Sequence, residues 1–224
     1  MRNPEIVLLE TSQIELASEI LGDAFKDNPA FEHLTYPDDR RRLNSIRSIG
    51  KMMLHYADLH QAIYTTTAMK GVAIWIPPHQ FPLNGLRLLQ SGAYALPFQL
   101  PLMKLLQSMP LFLQVEKCHK TYMSQSHWYL AMLGVHSTYQ NQGVGGSLIQ
   151  PVLAEADRQH LPCYLETSTA AAVRFYQRHG FEVYAPSVNP VQSVAVRARE
   201  LAPQLEAILS ATGAPKLNII AHSM

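Results

Sequence analysis

The stretch that most constrains this chain runs from an apolar segment into a glycine-rich turn and then into a helical pattern. The segment His127-Trp128-Tyr129-Leu130-Ala131-Met132-Leu133-Gly134-Val135 reads as a strand. Tyr139-Gln140-Asn141-Gln142-Gly143-Val144-Gly145-Gly146-Ser147 follows, and Leu148, Ile149, Val152, Leu153 and Ala156 then recur at helical spacing. The first N–H groups of a helix have no helical partner, and the helix dipole adds partial positive charge at the same end. Glycine lets a phosphate approach that backbone with no Cβ in the way. A chain built like this grips a phosphate-bearing cofactor with main chain rather than with charged side chains.

The glycine spacing narrows the choice of cofactor. A Walker loop needs a Lys after its last glycine, and none follows Gly146. The dinucleotide fingerprint Gly-x-Gly-x-x-Gly fails at Leu148. What remains is Gln-x-x-Gly-x-Gly, from Gln140 to Gly145. A second segment follows in order: the strand-like Cys163-Tyr164-Leu165-Glu166-Thr167-Ser168, then Val173-Arg174-Phe175-Tyr176-Gln177-Arg178-His179-Gly180-Phe181 with its Phe-Tyr-x-x-x-Gly-Phe pattern. The two motifs together resemble the cofactor-binding segments of the GNAT N-acetyltransferases. The run His127–Phe181 is most similar to the branch containing puromycin N-acetyltransferase, through its aromatic strand opening, its Leu-Glu-Thr-Ser strand end and Pro151 inside the helix. The resemblance implies an α/β fold with a mixed, mostly antiparallel twisted sheet flanked by helices. It covers residues 1–183 as one domain.

It also implies a chemistry: direct transfer of the acetyl group of acetyl-CoA to a primary amine of a small molecule, in a ternary complex. The strand at 127–135 should splay from the strand at 162–167 to admit pantetheine. Backbone groups of Leu133 and Val135 would bond the pantetheine amides. Gln142, Gly143, Val144, Gly145 and Gly146 would hold the pyrophosphate. Gly134, Gln140, Asn141, Thr169 and Phe175 complete the cofactor-binding set. Tyr176 matches the family's usual general acid, a role to be weighed against a core tyrosine packing helix on sheet. Glu166 is the candidate base, or else a carboxylate capping the next helix. His136 titrates near neutrality and could also accept a proton, or simply sit in the loop. Cys163 reads as a core residue of its strand. His119, His127, His160 and His179 show no metal-ligand spacing, so no metal is expected.

Some positions depart from the pattern. Relatives often have Gly where Asn141 stands, and Asn is the non-glycine residue that best tolerates positive φ. They often have Asn where Thr169 stands; Thr caps a helix but makes an amide contact to cofactor doubtful. The largest departure is the tail at 184–224, where strands completing a GNAT sheet should stand. Val191–Ser210 reads as an amphipathic helix, and Lys216–Met224 as a strand ending in His222-Ser223-Met224. That segment resembles the run into the nucleophile elbow of α/β-hydrolase lipases, truncated before the elbow's glycines. A foreign or frameshifted tail, and a divergent tail that still completes the sheet, both remain open. So do two rival functions: an inactive CoA-binding module, and a fusion carrying a non-functional hydrolase fragment.

The rest of the chain supplies a scaffold. Glu5–Glu10 reads as a strand, with Thr11-Ser12 capping a helix through Phe25. Pro29 and Pro37 punctuate a loop, and a helix is expected from about Arg40 to Tyr56. Gln61–Thr67 and Gly71–Ile76 read as a hairpin around Met69-Lys70. Residues 79–126 form a helical insertion between the third and fourth strands, either a lid over the acceptor site or an extra helical layer. Pro97, Pro101 and Pro110 break its apolar run, so short helices are expected there rather than a membrane span. An apolar wall favours an amine carried on an apolar or aromatic body. A net charge of +1 gives no electrostatic case for nucleic acid. Two cysteines fit a reducing compartment, and Met1–Glu5 lacks the apolar core of a signal peptide, so a cytoplasmic protein is expected. Low surface charge and the apolar insertion suit a homodimer.

Overall fold

The computed structural model describes residues 4–182. The tail at 184–224 therefore lies outside the described residues, along with the helix, the strand and Ser223 expected there.

Five strands form one sheet in the order β1-β2-β3-β4-β5: β1 Ile6–Leu8, β2 Ile63–Thr66, β3 Gly71–Ile76, β4 Trp128–Val135 and β5 Cys163–Tyr164. The first four pair antiparallel and β5 joins β4 in parallel, giving the mixed, mostly antiparallel sheet the resemblance implies. Strand β3 is buried along its whole length because both sheet faces are covered. Val72, Ile74 and Ile76 pack on one side with Ile14, Leu21, Met53 and Leu54, from helices α1 Ile14–Phe25 and α3 Asp39–Asp58. Ala73 and Trp75 pack on the other with Leu148, Ile149, Val152 and Tyr176, from α7 Val144–Gln159 and α8 Ala170–Arg178. The period of two along one strand thus joins two hydrophobic layers. Burying an apolar side chain of this size is worth about 1.5–3 kcal/mol.

Local signals explain most boundaries. Asp38 caps α3, its carboxylate accepting from the Arg41 N–H at 2.9 Å. The start of α1 differs from the expected Thr-Ser cap: Glu10 donates its N–H to Gln13 Oε1 at 3.0 Å, and a 3₁₀ turn at Thr11–Gln13 leads into the helix. The loop expected around Pro29 contains a short helix, α2 Pro29–Leu34. Asn28 caps it by accepting from the Ala30 N–H at 3.0 Å, and Pro29 occupies the first turn, where its missing N–H costs nothing.

The insertion folds as α4 Gly85–Gln90, α5 Leu96–Gln99 and α6 Leu102–Tyr122. Pro110 was expected to interrupt this run but sits inside the 21-residue α6. The carbonyl that proline deprives of a partner belongs to Leu106, whose residue is 56% exposed. Among the described residues no helix is long and apolar enough to cross a membrane.

Candidate active site

The site begins where β4 parts from β5. The two strands pair only at Trp128↔Cys163 and Tyr129↔Tyr164. Immediately beyond, the β3–β4 register slips: Ile74 faces Met132 while Trp75 faces Leu130, leaving Ala131 as the extra residue. A bulge of this kind bends and twists its strand. It sits at the point where β4 leaves its parallel neighbour, and β5 stops at Tyr164, short of the strand expected over 162–167. The expected splay is present. It opens into a cleft of about 1160 Å³ whose lining includes Leu130, Met132, Leu133, Val135, Glu166 and Tyr176.

The glycine turn stands at one end of this cleft. Asn141 has φ 59° and Gly143 φ 81°, so both central residues occupy the left-handed region, as the asparagine-for-glycine exchange requires. The first intrahelical bond of α7 runs from Ser147 N–H to Gly143 O at 3.0 Å. The N–H groups of Val144, Gly145 and Gly146 precede it, and no side chain caps the helix. Gly145 and Gly146 lie against α8: a Cβ on Gly146 would meet His179 Nε2 at 2.5 Å, and one on Gly145 would touch the Phe175 ring at 3.4 Å. His179 is itself held by Phe175, with Nδ1 and the carbonyl oxygen 2.8 Å apart. The turn therefore needs glycine both for its dihedrals and for the approach of α8.

The expected cofactor-binding residues sort by position. Leu133, Val135, Gln140, Asn141, Gly143, Val144, Gly145, Gly146, Thr169 and Phe175 line the cleft. Gln140 spends its amide on the strand end, donating from Nε2 to Val135 O at 3.0 Å. Gln142 does not line the cleft and donates to Thr138 O at 2.9 Å, closing the turn. Gly134 also lies off the cleft: a Cβ there would meet Leu21 Cδ2 at 2.9 Å and Ala24 Cβ at 3.1 Å, so this glycine serves the packing of α1. The Thr169 hydroxyl accepts from the Ala172 N–H at 3.2 Å and caps α8. His136 is a loop histidine whose Nδ1 accepts from the Thr138 N–H at 3.3 Å; it does not line the cleft.

Across the cleft stands the end of α1. The Ser137 N–H donates to Asp23 Oδ2 at 2.6 Å. Burial would raise the Asp23 carboxyl, but Ser137 and the Lys26 ammonium overcome it and bring the group down to about 2. The Ser168 hydroxyl donates to Asn28 Oδ1 at 3.1 Å, joining the segment after β5 to the start of α2. From the insertion, Phe112 and Val115 of α6 reach the lining, beside Phe25 and Phe31.

Several ionisable groups share the interior. Burial pushes the Glu166 carboxyl up to about 7 against the hydrogen bonds of Tyr129 and Tyr164, which pull it down. Tyr176 is 8% exposed, and burial raises its phenol well above the ordinary range, so it keeps its proton at any working pH. Burial pushes the Cys163 thiol up to about 12, so it too stays protonated. Sequence reasoning named Glu166 and Tyr176 but gave no role to Tyr129, Tyr164 or His119, whose rings surround Glu166. Nothing in local spacing brings together residues from α6, β4 and β5.

Comparison with known proteins bears on the fold that carries this site. Residues 112–183 match the family model described as the acetyltransferase (GNAT) domain. An uncharacterized N-acetyltransferase of Schizosaccharomyces pombe is 24% identical over 217 residues, covering 93% of this chain and 87% of that protein. Among solved structures, the chain is similar to a histone acetyltransferase HPA2 and related acetyltransferase from Corynebacterium glutamicum. That likeness has a TM-score of 0.56 and 20% identity, over 84% of this chain and 90% of the other. It is also similar to the structure of SsHAT, with a TM-score of 0.53 and 17% identity over 81% and 92% of the two chains. The chain has the GNAT fold and carries a GNAT acetyltransferase domain match over residues 112–183.

Proposed function

We propose that this protein is an N-acetyltransferase that moves the acetyl group of acetyl-CoA directly to a primary amine of a small molecule in a ternary complex. One observation carries it: β4 and β5 part beyond Tyr129↔Tyr164, and an uncapped helix start stands in the resulting cleft with Glu166 and Tyr176. Uncapped N–H groups at a helix start suit a pyrophosphate, and the edge of β4 beyond Tyr129, unpaired among the described residues, suits pantetheine amides. The cleft residues would hold the cofactor by main chain; acetyl-CoA supplies the activated thioester when bound.

The chain's own groups then have distinct tasks. Glu166 takes a proton from the acceptor ammonium, for which a pKa near neutrality is suited. The amine lone pair can then attack the thioester carbonyl. Tyr176, protonated in the resting site, donates to the departing thiolate and regains a proton from the nitrogen of the tetrahedral adduct, which loses its second N–H as the amide forms. Cys163 holds its proton too tightly to serve as a covalent carrier, which favours direct transfer. Phe25, Phe31, Phe112 and Val115 give the acceptor end an apolar lining, so an amine on an apolar or aromatic body is the expected substrate class, with the insertion as its lid. The branch resemblance of His127–Phe181 leaves the individual amine to experiment.

The composition argues for a cytoplasmic protein without nucleic-acid partners. The exposed Phe98, Leu102, Met103 and Leu106 of the insertion make a homodimer the assembly to test.

A panel of primary amines with acetyl-CoA, followed by release of free thiol, tests the proposal. Turnover with an apolar amine, lost in Tyr176→Phe with acetyl-CoA binding retained, is the expected result. Acetyl-CoA binding with no turnover of any amine would overturn the enzyme in favour of a CoA-binding module.

A further inference from the structure

Behind Glu166 lies a line of polar side chains to which acetyl transfer, as described above, gives no task. Glu166 Oε1 is shut off from solvent and lacks a hydrogen-bond partner among the described residues. The atom facing it is His119 Nδ1 at 3.6 Å. His119 comes from α6 of the insertion, is 1% exposed, and stacks on Phe81 with ring centroids 3.5 Å apart. Its Nε2 lies 2.8 Å from Nε2 of His127. His127 Nδ1 in turn lies 2.7 Å from the carbonyl oxygen of Gln125.

The proton positions follow from this chain of contacts. A carbonyl only accepts, so His127 Nδ1 carries a proton. One proton must lie between the two Nε2 atoms. If His119 carries it, His119 Nδ1 is bare and can accept from a protonated Glu166. If His127 carries it, His127 is an imidazolium, and the proton on His119 Nδ1 faces a Glu166 carboxylate. The two arrangements differ only by a shift of two protons, and His119 is neutral in both.

We propose that Glu166, His119 and His127 form a proton relay that carries the proton of the acceptor amine from the cleft to the far end of β4, beside the exposed Ser124 and Gln125. This rests on the assignment of Glu166 as the base. In the first step an N–H bond of the ammonium breaks, its electron pair stays on nitrogen, and an O–H bond forms on Glu166. In the second, that O–H bond breaks as Nδ1–H forms on His119, while Nε2–H of His119 breaks as Nε2–H forms on His127. In the third, an N–H bond of the His127 imidazolium breaks and its proton passes to solvent water, the one further reactant, which returns the relay to its starting state. The 3.6 Å gap must shorten for transfer, as hydrogen bonds of an unloaded site commonly do.

The surroundings suit such a path. Tyr129 of β4 and Tyr164 of β5 are the other titratable groups on Glu166, and their rings also pack on His119 at 4.8 and 4.1 Å. Burial holds the Tyr129 phenol well above its ordinary range, so it donates without ionising. Burial, followed by the neighbouring His127, holds His119 down to about 3. Such a ring passes a proton on and does not keep one. His119 and His127 are thus positioning residues that act through Glu166, and the insertion contributes to the chemistry as well as to the wall.

Asparagine at either position keeps polarity, but an amide cannot take a proton on one atom and release one from another. His119→Asn and His127→Asn should each lower kcat roughly 10- to 100-fold, with KM for the amine and affinity for acetyl-CoA unchanged. The double variant should be no slower than either single one, and neither change should slow Glu166→Gln further. Losses that multiply, or that appear in KM alone, would overturn the relay. A second arm needs no activity: ¹⁵N histidine NMR of the unmodified protein between pH 6 and 8 should show a neutral His119 bonded to His127 through nitrogen. A His119 imidazolium, or the lack of that bond, would overturn the relay even if no amine is turned over. Absent turnover with the bond present would count against the enzyme assignment instead.

Discussion

Two helices begin at the same cleft, and their starts are built in opposite ways. α7 opens on Gly143, which has no side chain to cap it, so among the described residues no capping bond takes the N–H groups of Val144, Gly145 and Gly146. α8 opens on Thr169, whose hydroxyl takes the Ala172 N–H at 3.2 Å. A capped start gains stability, typically about 1 kcal/mol. An uncapped one forgoes it and keeps its donors for an anion. Under the proposed function, the contrast gives the pyrophosphate to α7 and leaves Thr169 the structural task of capping α8.

The comparison can be broken or sharpened by substitution. The largest effect is expected from Glu166→Gln, which touches neither helix start. Turnover should fall about 10²- to 10⁴-fold, the usual worth of a general base, while acetyl-CoA affinity holds in a titration. A fall in affinity would mean that the carboxyl, and not the helix start, governs cofactor binding.

Gly143→Val comes next. No atom lies within 4 Å of the added Cβ, but φ 81° is a conformation that valine resists. The new side chain would also cover the free N–H groups. Loss of one or two charge-assisted bonds corresponds to roughly a 10²-fold weaker Kd for acetyl-CoA. An unchanged Kd would sink the anion site.

Glu166 also carries a stability signature. Its folded pKa of about 7 lies above the ordinary carboxyl value of 4.5. The folded state therefore binds more protons between those values, and stability falls as pH rises from about 4.5 to 7, then levels off. Glu166→Gln should be more stable than the parent at pH 8, by up to about 3 kcal/mol, and little different at pH 4. Melting curves at the two pH values check the sign.

The smallest effect is expected from Thr169→Ala. It should cost about 1 kcal/mol in urea unfolding and leave acetyl-CoA affinity almost unchanged. A large loss of affinity would return Thr169 to the cofactor.

What could be read in the sequence divides along the same line. The turn was legible because its requirements are local: positive φ at Asn141 and Gly143, and small residues where α8 approaches. The hairpin was legible from alternation, and α3 as a helix from about Arg40 to Tyr56. The early end of β5 was not, because where its pairing with β4 stops depends on how the two strands meet in space, beside the β3–β4 register shift at Ala131. The helix at Pro29–Leu34 was hidden because Pro29 looks the same as a loop residue and as the first residue of a helix. His119 was set aside for lack of ligand spacing; its meaning comes from elements that meet only in three dimensions.

The central claim is that the splayed strands and the uncapped start of α7 hold acetyl-CoA. A calorimetric titration of the full chain with acetyl-CoA tests it most directly. One-to-one binding in the micromolar range, weakened in Gly143→Val and retained in Thr169→Ala, is the predicted result. Absence of binding by a folded sample, or equal weakening in both variants, would contradict it.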